Sequence, residues 1–150
     1  MSALFAFLHH VAAFTLVAAL AIEFVTLGGE LTVATARRLV RTDRVFGIAA
    51  GVVLGVGLLR VFFFEKGSAY YFHSIPFLAK LALFAAVGLA SIPPTLEFLS
   101  WRRDLAQGRA PVLSDARRRR LRALMHAELA GIVLILLCAA LMARGVGMFG

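Results

Sequence analysis

The chain has 150 residues, 61% of them hydrophobic, and a formal net charge of +8. With a mean hydropathy of +0.90 it carries far more apolar surface than one soluble core of this size can hide, which excludes an ordinary water-soluble domain and implies an integral membrane protein. The charge does not point to nucleic acid, because it is gathered in particular connections between apolar segments.

Four apolar stretches, at roughly 3–27, 45–64, 76–99 and 123–147, are each long enough at 1.5 Å per residue to cross about 30 Å of hydrocarbon. They predict an all-α fold, a four-helix transmembrane bundle that forms a single domain over 1–150. There is no convincing internal repeat or low-complexity segment. The single Cys138 falls inside the fourth stretch, so no intrachain disulfide forms.

The first stretch contains Ala19-Leu20-Ala21, which resembles a small-residue cleavage site. However, MSALFAF before the apolar run has no Lys or Arg, and His9 and His10 interrupt the run itself, so a retained helix is expected. In the second stretch Gly47, Gly51 and Gly55 fall four apart. They make a small-residue ridge on which another helix can approach closely, in the bundle, in a homo-oligomer or in a membrane complex. In the third, Pro93 and Pro94 remove two backbone donors, so the helix is expected to kink or stop there, with Ser91 and Thr95 available to the freed carbonyls. Residues 103–116, with Gly108 and Pro111, read as the one clear linker, and Asp115 as the N-cap of the helix that leads into the fourth stretch.

Orientation follows from the arginines. The first connection carries Arg37, Arg38, Arg41 and Arg44. The third carries Arg102, Arg103, Arg109, Arg117, Arg118, Arg119, Arg120 and Arg122. By the positive-inside rule both are cytoplasmic, in a bacterial inner membrane, and both termini are outside. Trp101 then marks the inner interface, and Tyr70 and Tyr71 the outer one. The Arg clusters read as anchors for lipid headgroups, and no nucleic-acid partner is expected.

Sorted by depth, the polar residues inside the spans fall into two layers. His9, His10, Arg60, Lys80 and Arg144 form an outer belt of cations and imidazoles. Glu23, Glu97, His126 and Glu128 form a mostly acidic inner layer. At about 100° per residue His9 and Glu23 differ by roughly 40° and His10 and Glu23 by roughly 140°, so His9 shares the glutamate's face. His73, Lys80 and Ser91 lie within about 20° of one another, a polar stripe on the third helix.

Ionisable groups inside a span cost about 2.5–3.5 kcal/mol each on insertion scales and usually face a partner. The outer layer holds no carboxylate except Glu65 in the loop. Cations and imidazoles with no acid suggest a ligand that brings carboxylates. A b-type haem or porphyrin fits this pattern, with His9 or, less simply, His10 on the metal, Arg60, Lys80 and Arg144 around the propionates, and a redox role. Glu23, His126 and Glu128 then serve as proton relay or structural polar groups. No CxxCH motif is present, so a covalent c-type haem is excluded. Copper is the weaker reading, because Met1, Met125, Met142, Met148 and Cys138 sit at no convincing ligand spacing.

The segments LHHVAAFTLVAALAIEF, PFLAKLALFAAVGLASIPPTLEFLSWRR and LMARGVG resemble an uncharacterised family of small bacterial membrane proteins over nearly the whole chain. More distantly, His9 or His10 and Lys80 resemble the first-helix histidine and third-helix lysine of the copper-resistance CopD proteins and the HemJ-type protoporphyrinogen oxidases. That resemblance implies a haem- or porphyrin-binding bundle and a haem-dependent oxidoreductase. The oxidase pattern has Trp and His shortly before the lysine, where this chain has Phe77, Leu78 and Ala79, with His73 two turns earlier. The alternative classes are an ion or anion carrier, copper included, and a structural or assembly subunit. No nucleotide-binding glycine motif or Ser/His/Asp constellation is present.

Overall fold

The computed structural model describes residues 2–64 and 72–147. Glu65, Tyr70 and Tyr71, assigned above to the outer loop and interface, lie outside the described residues, as do Met1 and Met148. Four helices are long and apolar enough to cross a membrane. They are α1 (Ser2–Gly28), α2 (Val33–Leu59), α3 (Ile75–Ser100) and α5 (Asp115–Ala143), and a short α4 (Arg102–Ala106) lies between the last two. A π-helical turn, Arg60–Phe64, extends α2.

Local chemistry sets the boundaries. Thr32 and Thr35 form a reciprocal capping box at the start of α2, each hydroxyl accepting from the other's backbone N–H. The α5 cap is Ser114, which accepts from the Arg117 N–H at 3.3 Å, and Asp115 is the first helical residue instead of the cap. α5 ends in a Schellman motif, with Gly145 at φ 67° and the Val146 N–H on the Leu141 carbonyl. α3 runs unbroken through Pro93 and Pro94, so the expected stop does not occur. Ser91 bonds the Gly88 carbonyl, and Thr95 turns away to α2. Because α3 begins at Ile75, His73 is not part of its polar stripe, and the expected linker 103–116 contains most of α4.

The helices form two antiparallel hairpins, α1 with α2 and α3 with α5, which meet mainly where α1 lies along α5. Each helix buries a stripe of heptad-like spacing: Leu16, Ala19, Leu20 and Leu27 on α1; Ala36, Leu39 and Phe46 on α2; Val87 and Phe98 on α3; Leu121, Met125 and Ile132 on α5. Phe14, Val25, Leu89 and Val133 turn outward, as a lipid-facing surface requires. Lipid tails are as apolar as these side chains, so close packing and polar contacts hold the helices together.

The Arg run at the head of α5 also makes contacts with the rest of the bundle. Arg118 donates to the Leu27 carbonyl at 3.3 Å and to that of Gly29, where α1 leaves its last carbonyls without helical partners. The Arg122 guanidinium lies 4.6 Å from the centre of the Phe24 ring, and Arg117 pairs with Glu97 at 3.3 Å. Trp101 is packed against the bundle, its ring on Phe98 and its indole N–H on Glu97. A cation at a helix C-terminus contributes about 0.3–2 kcal/mol. Arg118→Ala is therefore expected to lower the midpoint of thermal unfolding in detergent micelles, and Arg119→Ala, an exposed neighbour in the same run, is expected to leave it unchanged.

Candidate functional site

The inner layer is built from all four long helices. Glu23 of α1, Asp43 of α2 and Glu128 of α5 are 2%, 8% and 1% exposed. They lie within electrostatic range of one another, Glu23 with both Asp43 and Glu128, and Glu128 with Asp43. Each occupies a position of its helix's buried stripe, Glu23 between Leu20 and Leu27, Asp43 between Leu39 and Phe46, Glu128 between Met125 and Ile132. α3 supplies Thr95, whose hydroxyl donates to Asp43 Oδ1 at 2.7 Å. Glu23 Oε1 and both carboxylate oxygens of Glu128 are buried without a hydrogen-bond partner.

Asp43 is absent from the sequence-based set. The span drawn from 45 leaves it in a loop among arginines, whereas α2 begins at Val33. Its signal is the spacing of Ala36, Leu39, Asp43 and Phe46, a buried seam that runs through the Arg-rich segment. Glu97 and His126, both expected in this layer, stand apart from it. Glu97 holds Trp101 and Arg117 at the Arg-rich end. His126 is exposed, its ring beside Phe24. Losing the Thr95 donor would leave a buried carboxylate oxygen unmet, at a cost on the order of 1 kcal/mol. Thr95→Val is thus expected to lower the unfolding midpoint, whereas Ser91→Ala, which breaks only a bond within its own helix, should not.

In the outer layer the structure brings together His9, Lys80 and Arg60, with the His10 ring 6.0 Å from that of His9 at the edge of the group. His9 and Lys80 line one cavity with Val53, Gly57 and Phe77, and Lys80 and Arg60 are both within electrostatic range of His9. The close approach is made possible by Gly57, where an added Cβ would stand 3.3 Å from the His9 ring. Arg60 and Lys80 each also interact within the chain. His10 and Arg144 do not line the cavity. His10 is exposed and donates from Nδ1 to the Ala6 carbonyl one turn back, at 2.6 Å. Arg144 is exposed and caps α5.

The cavity beside His9 has a volume of about 50 Å³, against about 300–1,000 Å³ for ordinary ligand pockets. Among the described residues no group of three or more His, Cys, Asp or Glu has the geometry to hold a metal ion. Between the two layers the bundle is filled by Leu16, Leu20, Phe46, Val87 and Ile132. His9 and Glu23 are fourteen residues apart on α1, about 21 Å along its axis.

Four apolar helices around a buried acidic layer and a smaller His–Lys–Arg cluster define a multi-pass membrane bundle with ionisable groups in its interior. The chain belongs to the DUF2214 family, described as a predicted membrane protein, which matches over residues 1–147. No curated protein and no solved structure matches it.

Proposed function

We propose that the protein is an ion carrier of the bacterial inner membrane, and that the ion is the proton. The observation that carries this reading is Glu128, buried on both oxygens with no hydrogen-bond donor, beside Glu23 and Asp43. A carboxylate in a low-dielectric interior needs a proton or a cation to offset its charge, and several together need more than one. Asp43 has the Thr95 hydroxyl. Glu23 and Glu128 are the groups left for a mobile species to meet. No described cluster offers the several converging ligands that a metal cation requires, whereas a proton requires only one oxygen.

Ionisable groups that face a bundle interior commonly mark ion pathways and proton relays. Glu23 lies five residues before the end of α1, so the acidic layer faces the Arg-rich end, which the positive-inside rule places in the cytoplasm. His9, beside Lys80 and Arg60, is a proton acceptor toward the opposite end. Leu20, Phe46 and Val87 close the way between them. Transfer therefore requires these side chains to part, and the two layers act as alternating stations instead of a continuous wire.

The test is proton flux in proteoliposomes, followed with an entrapped pH-sensitive dye after a pH step at fixed membrane potential. The full chain is expected to collapse the gradient faster than protein-free vesicles. A rate equal to that of empty vesicles for steps in both directions would remove the carrier reading. The redox reading, and with it the likeness to CopD and the HemJ-type oxidases, keeps one supporting observation, the meeting of His9, Lys80 and Arg60. An absorption spectrum after haem-supplemented expression separates the two. A colourless preparation is expected, and a Soret band lost in His9→Ala would favour haem.

A further inference from the structure

The outward face of α2 has a composition that neither polar layer explains. Arg37, Arg41 and Arg44 line a groove whose other wall is α4, with Arg102, Leu105 and Ala106, and whose floor includes Val40. Arg37 ties the walls together by donating to the Leu105 carbonyl at 3.2 Å. The other three guanidinium groups meet no carboxylate among the described residues. Asp104 is taken by Arg109 at 3.0 Å and Glu97 by Arg117.

Further along α2 the same face becomes apolar and shallow. At about 100° per residue Arg37, Arg41, Arg44, Ile48, Gly51 and Gly55 fall within about 80° of one another, opposite the buried stripe of Ala36, Leu39, Asp43 and Phe46. Ile48 is exposed, and a Cβ added at Gly51 or Gly55 would meet nothing within 4 Å. The ridge of small residues therefore does not pack inside the bundle. It is an open furrow. From Arg44 to Gly55 it runs about 16 Å, close to the depth of one leaflet, half of about 30 Å.

We propose that this face is a binding site for an anionic phospholipid, with the phosphate on Arg41, Arg44 and Arg102 and an acyl chain in the furrow over Ile48, Gly51 and Gly55. Basic groups at the end of a span attract acidic headgroups, and guanidinium groups suit phosphate oxygens in particular. The furrow distinguishes a lipid from a free phosphate, which would gain nothing from it. Charge distinguishes it from a second copy of the chain. A two-fold related copy seated on the same face, parallel in the membrane, would set one Arg ridge against the other.

Native mass spectrometry of the full chain in detergent, with added phosphatidylglycerol or phosphatidylcholine of the same acyl chains, tests the site. Phosphatidylglycerol should be retained in preference. The variant Arg41→Gln/Arg44→Gln/Arg102→Gln should lose at least about tenfold in retention, with unchanged helicity by circular dichroism. Arg119→Gln/Arg120→Gln, the same end of the molecule outside the groove, should stay within about twofold of the native chain. Gly51→Leu, which fills the furrow, should also weaken retention. Equal losses in the two arginine variants, no preference between the lipids, or displacement by inorganic phosphate alone would each overturn the proposal. So would a dimer that Gly51→Leu dissociates, which would give the face to a second copy.

Discussion

Glu128→Gln is expected to abolish proton flux through the reconstituted protein, slowing collapse of a pH gradient at least about tenfold, while the bundle stays folded. The substitution keeps the size and shape of the side chain and removes only the exchangeable carboxyl proton. No hydrogen bond is lost, because both Glu128 oxygens lack partners, and a potential like charge beside Asp43 disappears. Stability should be unchanged or slightly higher, which separates this outcome from a folding defect. Glu23→Gln should act in the same direction, since Glu23 is 2% exposed and within range of the other two acids. Asp43→Asn should do less, because Thr95 supplies that carboxylate with a donor. Native flux in Glu128→Gln, together with normal folding, would remove the acidic layer from any transport role.

The second large effect is structural. Gly131→Leu is expected to destabilise the bundle by about 1–3 kcal/mol or more, the range for overpacking a filled interior, seen as a lower unfolding midpoint in micelles. A Cβ at Gly131 of α5 would stand 2.7 Å from Val87 Cγ2 of α3, so the Val87 side chain or the helices must shift to admit it. Even Gly131→Ala requires a shift, and Val87→Ala should rescue it, with a coupling of about 0.5–3 kcal/mol in a double-mutant cycle. Gly51→Leu, which adds a larger side chain to open space, should leave the midpoint unchanged. If Gly131→Leu is neutral and Gly51→Leu disruptive, the helix contacts described here are assigned to the wrong faces.

These two glycines illustrate where reading the chain succeeds and where it stops. Gly47, Gly51 and Gly55 have the regular spacing of a helix-packing ridge, yet close interhelical contacts fall on Gly131 and Gly57. Spacing along one helix reports which residues share a face. It does not report which way that face turns. The same limit separates His9 from His10. Helical phase with Glu23 correctly puts His9 on the inward side, but Arg144, expected beside it, ends as an exposed cap. Asp43 was hidden for a different reason. The averaged hydropathy of residues 33–44 is dominated by four arginines that α2 carries on its outward face, so the buried seam beneath them is masked.

The sequence by itself determined the number of spans, because crossing about 30 Å of hydrocarbon demands some twenty apolar residues in a row and few alternatives meet that demand. It also determined that charged groups lie within them. The tertiary structure decided which of those groups meet. Glu23, Asp43 and Glu128 converge because three separate helices rotate their buried stripes to a common axis, and Arg118 and Arg122 turn back onto α1 because its last carbonyls need donors. In a bilayer the apolar residues do not favour one helix face over another strongly enough to fix rotation. Close packing and polar contacts set it, and those exist only once the helices are together.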